Sequence, residues 1–422
     1  MLKLILGTAG TGKSEYIKKQ IQQNAQEGKK SLLLVPEQFS KTGETEIFSS
    51  LEKSQFSLVS VFSFTSLLRD VQSETGSGIK NVLTAAGKAV IAKKSLDNVY
   101  KHLNAYQNQR QNLQFSFELS SVFDDFRRNG IVGQELYTLA ERQENKSTKL
   151  KDIALIYSEY CAQLGDKFCD SEDVLCQLSS TLPLSYTHET EIFVDGFESF
   201  SFGQYKILQR MMENAPNVTV ALTADGLFDT TGGTGSLCYT KKTAQRLITF
   251  AKKSEVAVAA PILLTQQHRF KNNTLKAVED ILLQRPISET HSEGAAFVSE
   301  FRNQYCEVSY VCAQINRLTK EGYRYRDIAV VCPQMEKYEN QLEESFLAGK
   351  LPFFIDQNRI ITSSAPVMLI KSILEIMNNG VNEDTVIPLL KTGLTLFDEE
   401  TGSLLENYIY VWQEQALDWQ QP

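Results

Sequence analysis

The first 75 residues set short apolar runs against stretches with helical spacing. Leu2–Leu6 is apolar except for Lys3 and reads as a buried strand. Ser14–Gln26 places Tyr16, Ile17 and Ile21 on one face of a helix. Ser31–Val35 predicts a second buried strand, closed by Pro36, and the apolar run Phe56–Phe64 ends this part. Buried strands that alternate with helices are the pattern of a doubly wound, mainly parallel sheet, so the fold class is α/β.

The period then changes. From about residue 76 to 188 only helical spacing is found, over Asn81–His102, Leu113–Asn129, Gly133–Glu144 and Lys149–Leu164. Strand patterns return at Glu191–Val194, Val218–Leu222 and Glu255–Leu264. One sheet domain is therefore expected from residues 1–75 plus 189–290, interrupted by an all-helical insertion over 76–188. The polar, Gly-rich tract Asp229–Ser236 has no strand leading into it and reads as a flexible connection, and 271–295 as a linker. Residues 296–364 form a second αβ unit: helix Cys306–Leu318, strand Asp327–Cys332, helix Lys337–Leu347 and the apolar pair Phe353-Phe354. Residues 365–422 begin a further helical stretch, with Asn378-Asn379-Gly380 as a C-cap signal. Nothing closes the pattern after Trp419, which predicts that the chain is a fragment.

Composition narrows this only slightly. A chain of 422 residues exceeds a single core, and 42% hydrophobic with 22% charged residues is an ordinary soluble balance. The charge, 43 − 51 = −8, excludes a uniformly basic nucleic-acid coat. A local patch remains: Lys80–Arg110 holds six Lys or Arg against Asp97, or +5. No window approaches a membrane span, and Met1–Leu6 lacks the features of a signal peptide, so a cytoplasmic protein with no membrane partner is expected. The seven cysteines (161, 169, 176, 238, 306, 312 and 332) form no C-x-x-C pair, and the four histidines are scattered. Neither a disulfide framework nor a metal cluster is predicted.

The chemistry-bearing motif is Gly7-Thr8-Ala9-Gly10-Thr11-Gly12-Lys13-Ser14, a complete G-x-x-x-x-G-K-[ST] between a strand and a helix. A chain of this length should hold such a match by chance only about 0.01–0.02 times. Glycines let backbone N–H groups face phosphate oxygens, the helix start adds partial positive charge, Lys13 reaches the β- and γ-phosphates, and Ser14 ligates Mg²⁺. ATP and Mg are the expected cofactors. A second metal-holding acid is expected at a neighbouring strand end, and Glu191–Val194 runs into Asp195. Motor ATPases place a water-activating glutamate directly after this aspartate. Here Gly196 stands there, with Glu198 two residues further on. Binding is thus better supported than hydrolysis, and no catalytic residue is assigned.

With those residues go Leu34-Val35-Pro36-Glu37-Gln38-Phe39, Val61-Phe62-Ser63-Phe64, Val194-Asp195-Gly196-Phe197 and Gly322–Val330, and further on Leu405-Glu406-Asn407-Tyr408. Together they resemble the N-terminal part of the AddB family, the second subunits of bacterial AddAB (RexAB-type) helicase–nucleases. The resemblance implies a RecA-like P-loop sheet of the superfamily-1 helicase type, with a 1B-like helical insertion and the beginning of a second RecA-like (2A-like) domain. It implies an AddA-type partner that drives translocation, double-stranded DNA ends as substrate, and a strand held for recognition of the recombination hotspot Chi. A nuclease domain and its iron–sulfur cluster would lie beyond Pro422. Three departures from an active motor go with this: Gly196, the absence of a glutamine after Asp225-Gly226-Leu227, and Pro333 where an arginine is usual. The alternatives are an autonomous superfamily-1 helicase with active ATPase and a small-molecule P-loop kinase.

Single-stranded DNA is gripped by stacking aromatics and polar contacts to the backbone. The candidates are Phe62 and Phe64 at a strand end with Ser66 and Arg69 nearby in sequence, Gln38 and Ser40 after the second strand, and Phe197 after the acidic strand. Lys88, Lys93, Lys94, Lys101 and Arg110 are a second, basic set, and Arg324 or Arg326 a third.

Overall fold

A computed structural model describes residues 1–76, 81–142, 147–165, 168–286, 296–356 and 361–412, apart from the side chains of residues 40–42, 81, 141, 142, 147, 171, 399 and 412. Its contacts divide the chain into two units, Met1–Phe297 and Val298–Pro422.

The first unit begins β1 (Leu2–Gly7), α1 (Lys13–Gln26), β2 (Lys30–Leu34), α2 (Ser40–Phe48), β3 (Val59–Phe62) and α3 (Phe64–Thr75). The insertion carries β4 (Asn81–Val82), α4 (Ala85–Val99), α5 (Leu113–Arg128), α6 (Gly133–Arg142), α7 (Ser147–Leu164), β5 (Phe168–Cys169) and α8 (Ser171–Thr181). The sheet then resumes with β6 (Thr190–Val194), α9 (Phe202–Asn214), β7 (Val218–Thr223), α10 (Cys238–Lys253), β8 (Ile262–Leu264) and α11 (Asn273–Leu282). The expected α/β architecture is present: six strands in the order β3-β2-β6-β7-β1-β8, every neighbouring pair parallel.

Side-chain alternation explains why these strands read as unbroken apolar runs. Leu2, Leu4 and Leu6 enter one core layer with Leu32, Leu34, Ile192, Val194, Val220 and Leu222, beneath α3, α9 and α10. Ile5, Leu33, Phe193 and Ala221 point the other way, against Ile17 and Ile21 of α1 and Ile47 of α2. Both faces are covered, so no position of a central strand needs to be polar.

The insertion has its own core around Leu96, Phe123, Ile156 and Tyr160. It is not purely helical. Asn81 and Val82 pair in parallel with Phe168 and Cys169, and Thr84 caps α4 by accepting from Gly87 N, so the helix starts at Ala85 rather than Asn81. Asp152, 2% exposed, accepts from the backbone N–H groups of Asn104, Ala105 and Tyr106 and fixes that turn against α7. Asp170, 1% exposed, lies 2.5 Å from Lys88 Nζ and 3.6 Å from Arg127 Nε; Lys88 also bonds Asp124 at 2.8 Å, and Arg127 bonds Asp173. This ionic group joins α4 and α5 to the start of α8.

The second unit contains α12 (Gln304–Lys320), α13 (Met335–Ala348), α14 (Ala365–Asn379), α15 (Glu383–Leu390) and α16 (Glu399–Trp412). Val308 and Ile315 of α12 pack on Leu342 and Phe346 of α13. Ile328–Cys332 is not a strand. No partner strand lies beside it among the described residues of this unit, and an apolar run without a ladder neighbour stays an extended segment. The supposed linker 271–295 also differs: Asn272 caps α11 through Thr274 N at 2.7 Å, while residues 287–295 lie outside the described residues.

Candidate nucleotide-binding site

Because all six strands are parallel, their C-terminal ends share one edge, where open α/β sheets present ligand sites. β1 ends at Gly7, and Gly7–Ser14 turn from it into α1. Gly10 sits at φ 82°, and a Cβ there would come 2.2 Å from Gln267 Oε1 and 2.6 Å from Arg269 Cβ. Only glycine fits this approach. Inside the turn, the Thr11 hydroxyl donates to Thr8 O at 2.9 Å, with both residues buried. No side chain caps α1, so its first N–H groups are left for a ligand. Lys13 Nζ donates to Gly7 O and Thr8 O, both at 2.8 Å, and so lies along the turn. Burial pushes its ammonium below the ordinary value; Asp195 pulls it back, Arg269 adds to the lowering and Glu279 opposes it. These four charges therefore share one field. Gly10→Ala is expected to lower the thermal unfolding midpoint of the chain, because the Gln267–Arg269 segment above the turn must move aside.

Asp195 follows β6, with β7 interposed between that strand and β1. Its N–H donates to Leu34 O at 3.0 Å, and its Oδ1 accepts from Gly196 N at 2.9 Å. The Ser14 hydroxyl, exposed at the start of α1, and the Asp195 carboxylate are hard oxygen donors of the kind Mg²⁺ takes together with phosphate oxygens. Gly196 has φ 82°, and a Cβ on it would lie 3.1 Å from Pro36 Cδ. A glutamate cannot stand there without a left-handed backbone that costs about 1–2 kcal/mol. Gly196→Glu should therefore lower stability by about that amount in urea unfolding and leave ATP turnover unraised. Glu198 is exposed, and its carbonyl accepts from the Thr243 hydroxyl at 3.0 Å.

Beyond β7, Asp225 is 2.7 Å from Lys241 Nζ and 3.2 Å from an Arg285 guanidinium nitrogen. Burial works to raise its carboxyl, but these two cations hold it below the usual carboxylate range. It is committed to an ion cluster. The site also contains residues that sequence reasoning missed. Gln267 Nε2 donates to Ala9 O at 2.7 Å and His268 N to Gly10 O at 3.0 Å, so the chain after β8 lies against the P-loop; Arg269 and Glu279 come with it. The only available signal was that Arg269 follows a strand ending at the same sheet edge.

The DNA candidates separate by exposure. Gln38 and Arg69 are exposed, and Phe39 beside Gln38, 51% exposed, was overlooked. Phe62 is half-buried, 6.5 Å from Tyr186. Phe64 must be removed as a base-stacking residue: it is 4% exposed, packed on Phe197 and Phe200 in the core. Phe197 is half-buried in the same aromatic group. The Ser66 hydroxyl bonds Ser63 N at 2.7 Å and Ser63 O at 3.1 Å, closing the capping box of α3 rather than facing a ligand. Ser40 opens α2, but its side chain lies outside the described residues. In the basic set, Lys88 is buried in the ionic group, Lys93 and Arg110 grip Asp97, and Lys94 and Lys101 remain exposed. Arg324 is held by Asp327, and Arg326 is exposed.

Known proteins resemble this chain over most of its length. The family described as "ADDB, N-terminal" matches residues 4–279. The chain is 29% identical over 432 residues to an ATP-dependent helicase/deoxyribonuclease subunit of Clostridium novyi, covering 100% of this chain and 38% of that protein. It is 31% identical over 419 residues to the protein of the same description from Caldanaerobacter subterraneus subsp. tengcongensis, covering 97% and 36%. It thus spans well under half the length of the curated relatives it matches. With the matched region taking in the P-loop, the acidic strand end and the segment after β8, the chain belongs to the ADDB N-terminal family.

Proposed function

We propose that this chain is the helicase-like N-terminal part of an AddB-type subunit of an ATP-dependent helicase/deoxyribonuclease that processes DNA double-strand breaks for recombinational repair. It binds ATP and Mg²⁺ and hydrolyses ATP slowly or not at all. Its partner is an AddA-type subunit, and together they take DNA ends. The exposed residues Gln38 and Phe39 after β2 and Arg69 of α3 contact single-stranded DNA and take part in reading Chi. Nuclease and iron–sulfur chemistry belong to further sequence of the kind the longer relatives carry. The relatives' description supports the complex. Among the described residues no helix is long and apolar enough to cross a membrane, and a cytoplasmic setting suits a DNA-end enzyme.

One observation carries the nucleotide reading. A complete G-x-x-x-x-G-K-S turn, with Lys13 laid along its carbonyls, leads from β1 into an uncapped α1, and the residue after Asp195 is a glycine in left-handed conformation where an active motor needs glutamate. In this site Lys13 and the uncapped start of α1 would hold the phosphates and Ser14 and Asp195 the metal, whose charge would neutralise phosphate oxygens. Asp195→Asn is expected to weaken ATP binding about fivefold with Mg²⁺ present, about 1 kcal/mol, and hardly at all in EDTA. The reading is tested by equilibrium binding of labelled ATP together with steady-state turnover on single-stranded DNA. Binding with negligible turnover supports it, whereas fast DNA-stimulated turnover points to an autonomous helicase.

A further inference from the structure

The segment after β8 is more than a connection. It leaves the sheet on one side of β1, crosses the P-loop at Gln267 and His268, and continues into α11. It then turns at Arg285, whose N–H donates to Asp280 O at 2.8 Å and whose guanidinium bonds Asp225 beyond β7, on the other side of β1. Residues 265–285 thus arch over the phosphate loop and are anchored at both neighbouring strands.

Gln267 is the keystone of that arch. One amide uses its polar atoms in three directions: Nε2 donates to Ala9 O at 2.7 Å and lies 3.4 Å from Glu279 Oε2, while Oε1 accepts from Arg269 N at 3.0 Å. Glu279 lies in α11, and its carboxylate, which only accepts, favours the amide orientation that turns the NH₂ group toward it. With the NH₂ group turned to Ala9 and Glu279, only the oxygen remains for Arg269. The P-loop backbone and the backbone of Arg269, whose charge acts on Lys13, are therefore set by the same side chain.

Resting on the nucleotide reading above, we propose that Gln267, oriented by Glu279, is a positioning residue of the phosphate site: it fixes the Ala9–Gly10 backbone and directs Arg269 toward the terminal phosphate. A residue that acts through Arg269 matters more for the triphosphate than for the diphosphate. Its loss should therefore change the preference for ATP over ADP, which a merely stabilising contact would leave alone.

The experiment measures ATP and ADP affinities of the 422-residue chain, with thermal midpoints alongside, for wild type, Lys13→Ala, Gln267→Ala, Gln267→Glu, Glu279→Gln and the Gln267→Glu/Glu279→Gln pair. Gln267→Ala should weaken ATP binding about tenfold and ADP binding about threefold. Gln267→Glu keeps the shape and the acceptor for Arg269 N, but it cannot donate to Ala9 O and it faces Glu279. It should lose at least as much, and Glu279→Gln should restore part of that loss. The idea is overturned if both Gln267 variants bind ATP within twofold of wild type, if ATP and ADP weaken equally, or if Glu279→Gln gives no rescue. A wild type that binds no ATP removes the nucleotide reading and this inference with it. Normal wild-type binding and a deficient Lys13→Ala beside unaffected Gln267 variants remove this inference alone.

Discussion

Lys13→Ala is expected to weaken ATP binding by about a hundredfold, about 2.7 kcal/mol. Among the described residues the side chain is partly buried and bonded to the carbonyls of Gly7 and Thr8, and its charge is already disfavoured by burial. An arriving triphosphate would give this ammonium charged oxygens to bond directly, in hydrogen bonds that are each worth about 1.5–3 kcal/mol. Removing it leaves Arg269 as the remaining cation of that field. Folding should be little affected, because the Gly7 carbonyl still accepts from Ala224 N at 3.2 Å and the Thr8 carbonyl from the Thr11 hydroxyl at 2.9 Å. Equilibrium titration with labelled ATP and a thermal scan of the unliganded variant check both halves. Unchanged affinity would mean that the turn does not hold phosphate.

Asp170→Ala should have the largest effect on stability, a loss of about 3–5 kcal/mol in urea unfolding. Asp170 is nearly inaccessible and faces two cations, Lys88 and Arg127, that are themselves largely covered. Desolvating such charges is tolerable only while each is matched, and deleting the central carboxylate strands both. Asp124 and Asp173 partly compensate, since each touches one of the two cations. Asp170→Asn keeps the shape and one acceptor, and about half the loss is expected. Because the group joins α4 and α5 to α8, which packs on α9 beneath the sheet, the loss should appear in the main unfolding transition. A shift of less than about 1 kcal/mol would mean the group contributes nothing beyond its surroundings.

The sheet was legible because it is parallel and covered on both faces, so every central strand leaves an apolar run that little else mimics. The strand boundaries at Leu2, Val194 and Val218 follow directly from those runs. The phosphate turn was legible because its spacing is local. What escaped was held together through space. Gln267 and Glu279 have no local pattern, and their significance comes from the meeting of β8 with β1, some 260 residues apart in sequence. Phe64 misled for the opposite reason: an aromatic at a strand end looks the same in sequence whether its ring meets a base or the core. Ile328–Cys332 shows that an apolar run predicts a strand only where a neighbour exists to pair with it.

The strand order carries a consequence for biosynthesis. β1 is made first, yet its two neighbours are β7 and β8, so Leu2 must wait for Val218 and Ile5 for Ile262. At ribosomal speeds of 5–20 residues per second that interval is roughly 10–50 s. Throughout it the sticky hydrophobic segment Leu2–Gly7 has no place to go, and helper proteins that shield such segments should associate with this polypeptide early and release it only after the last strand has emerged.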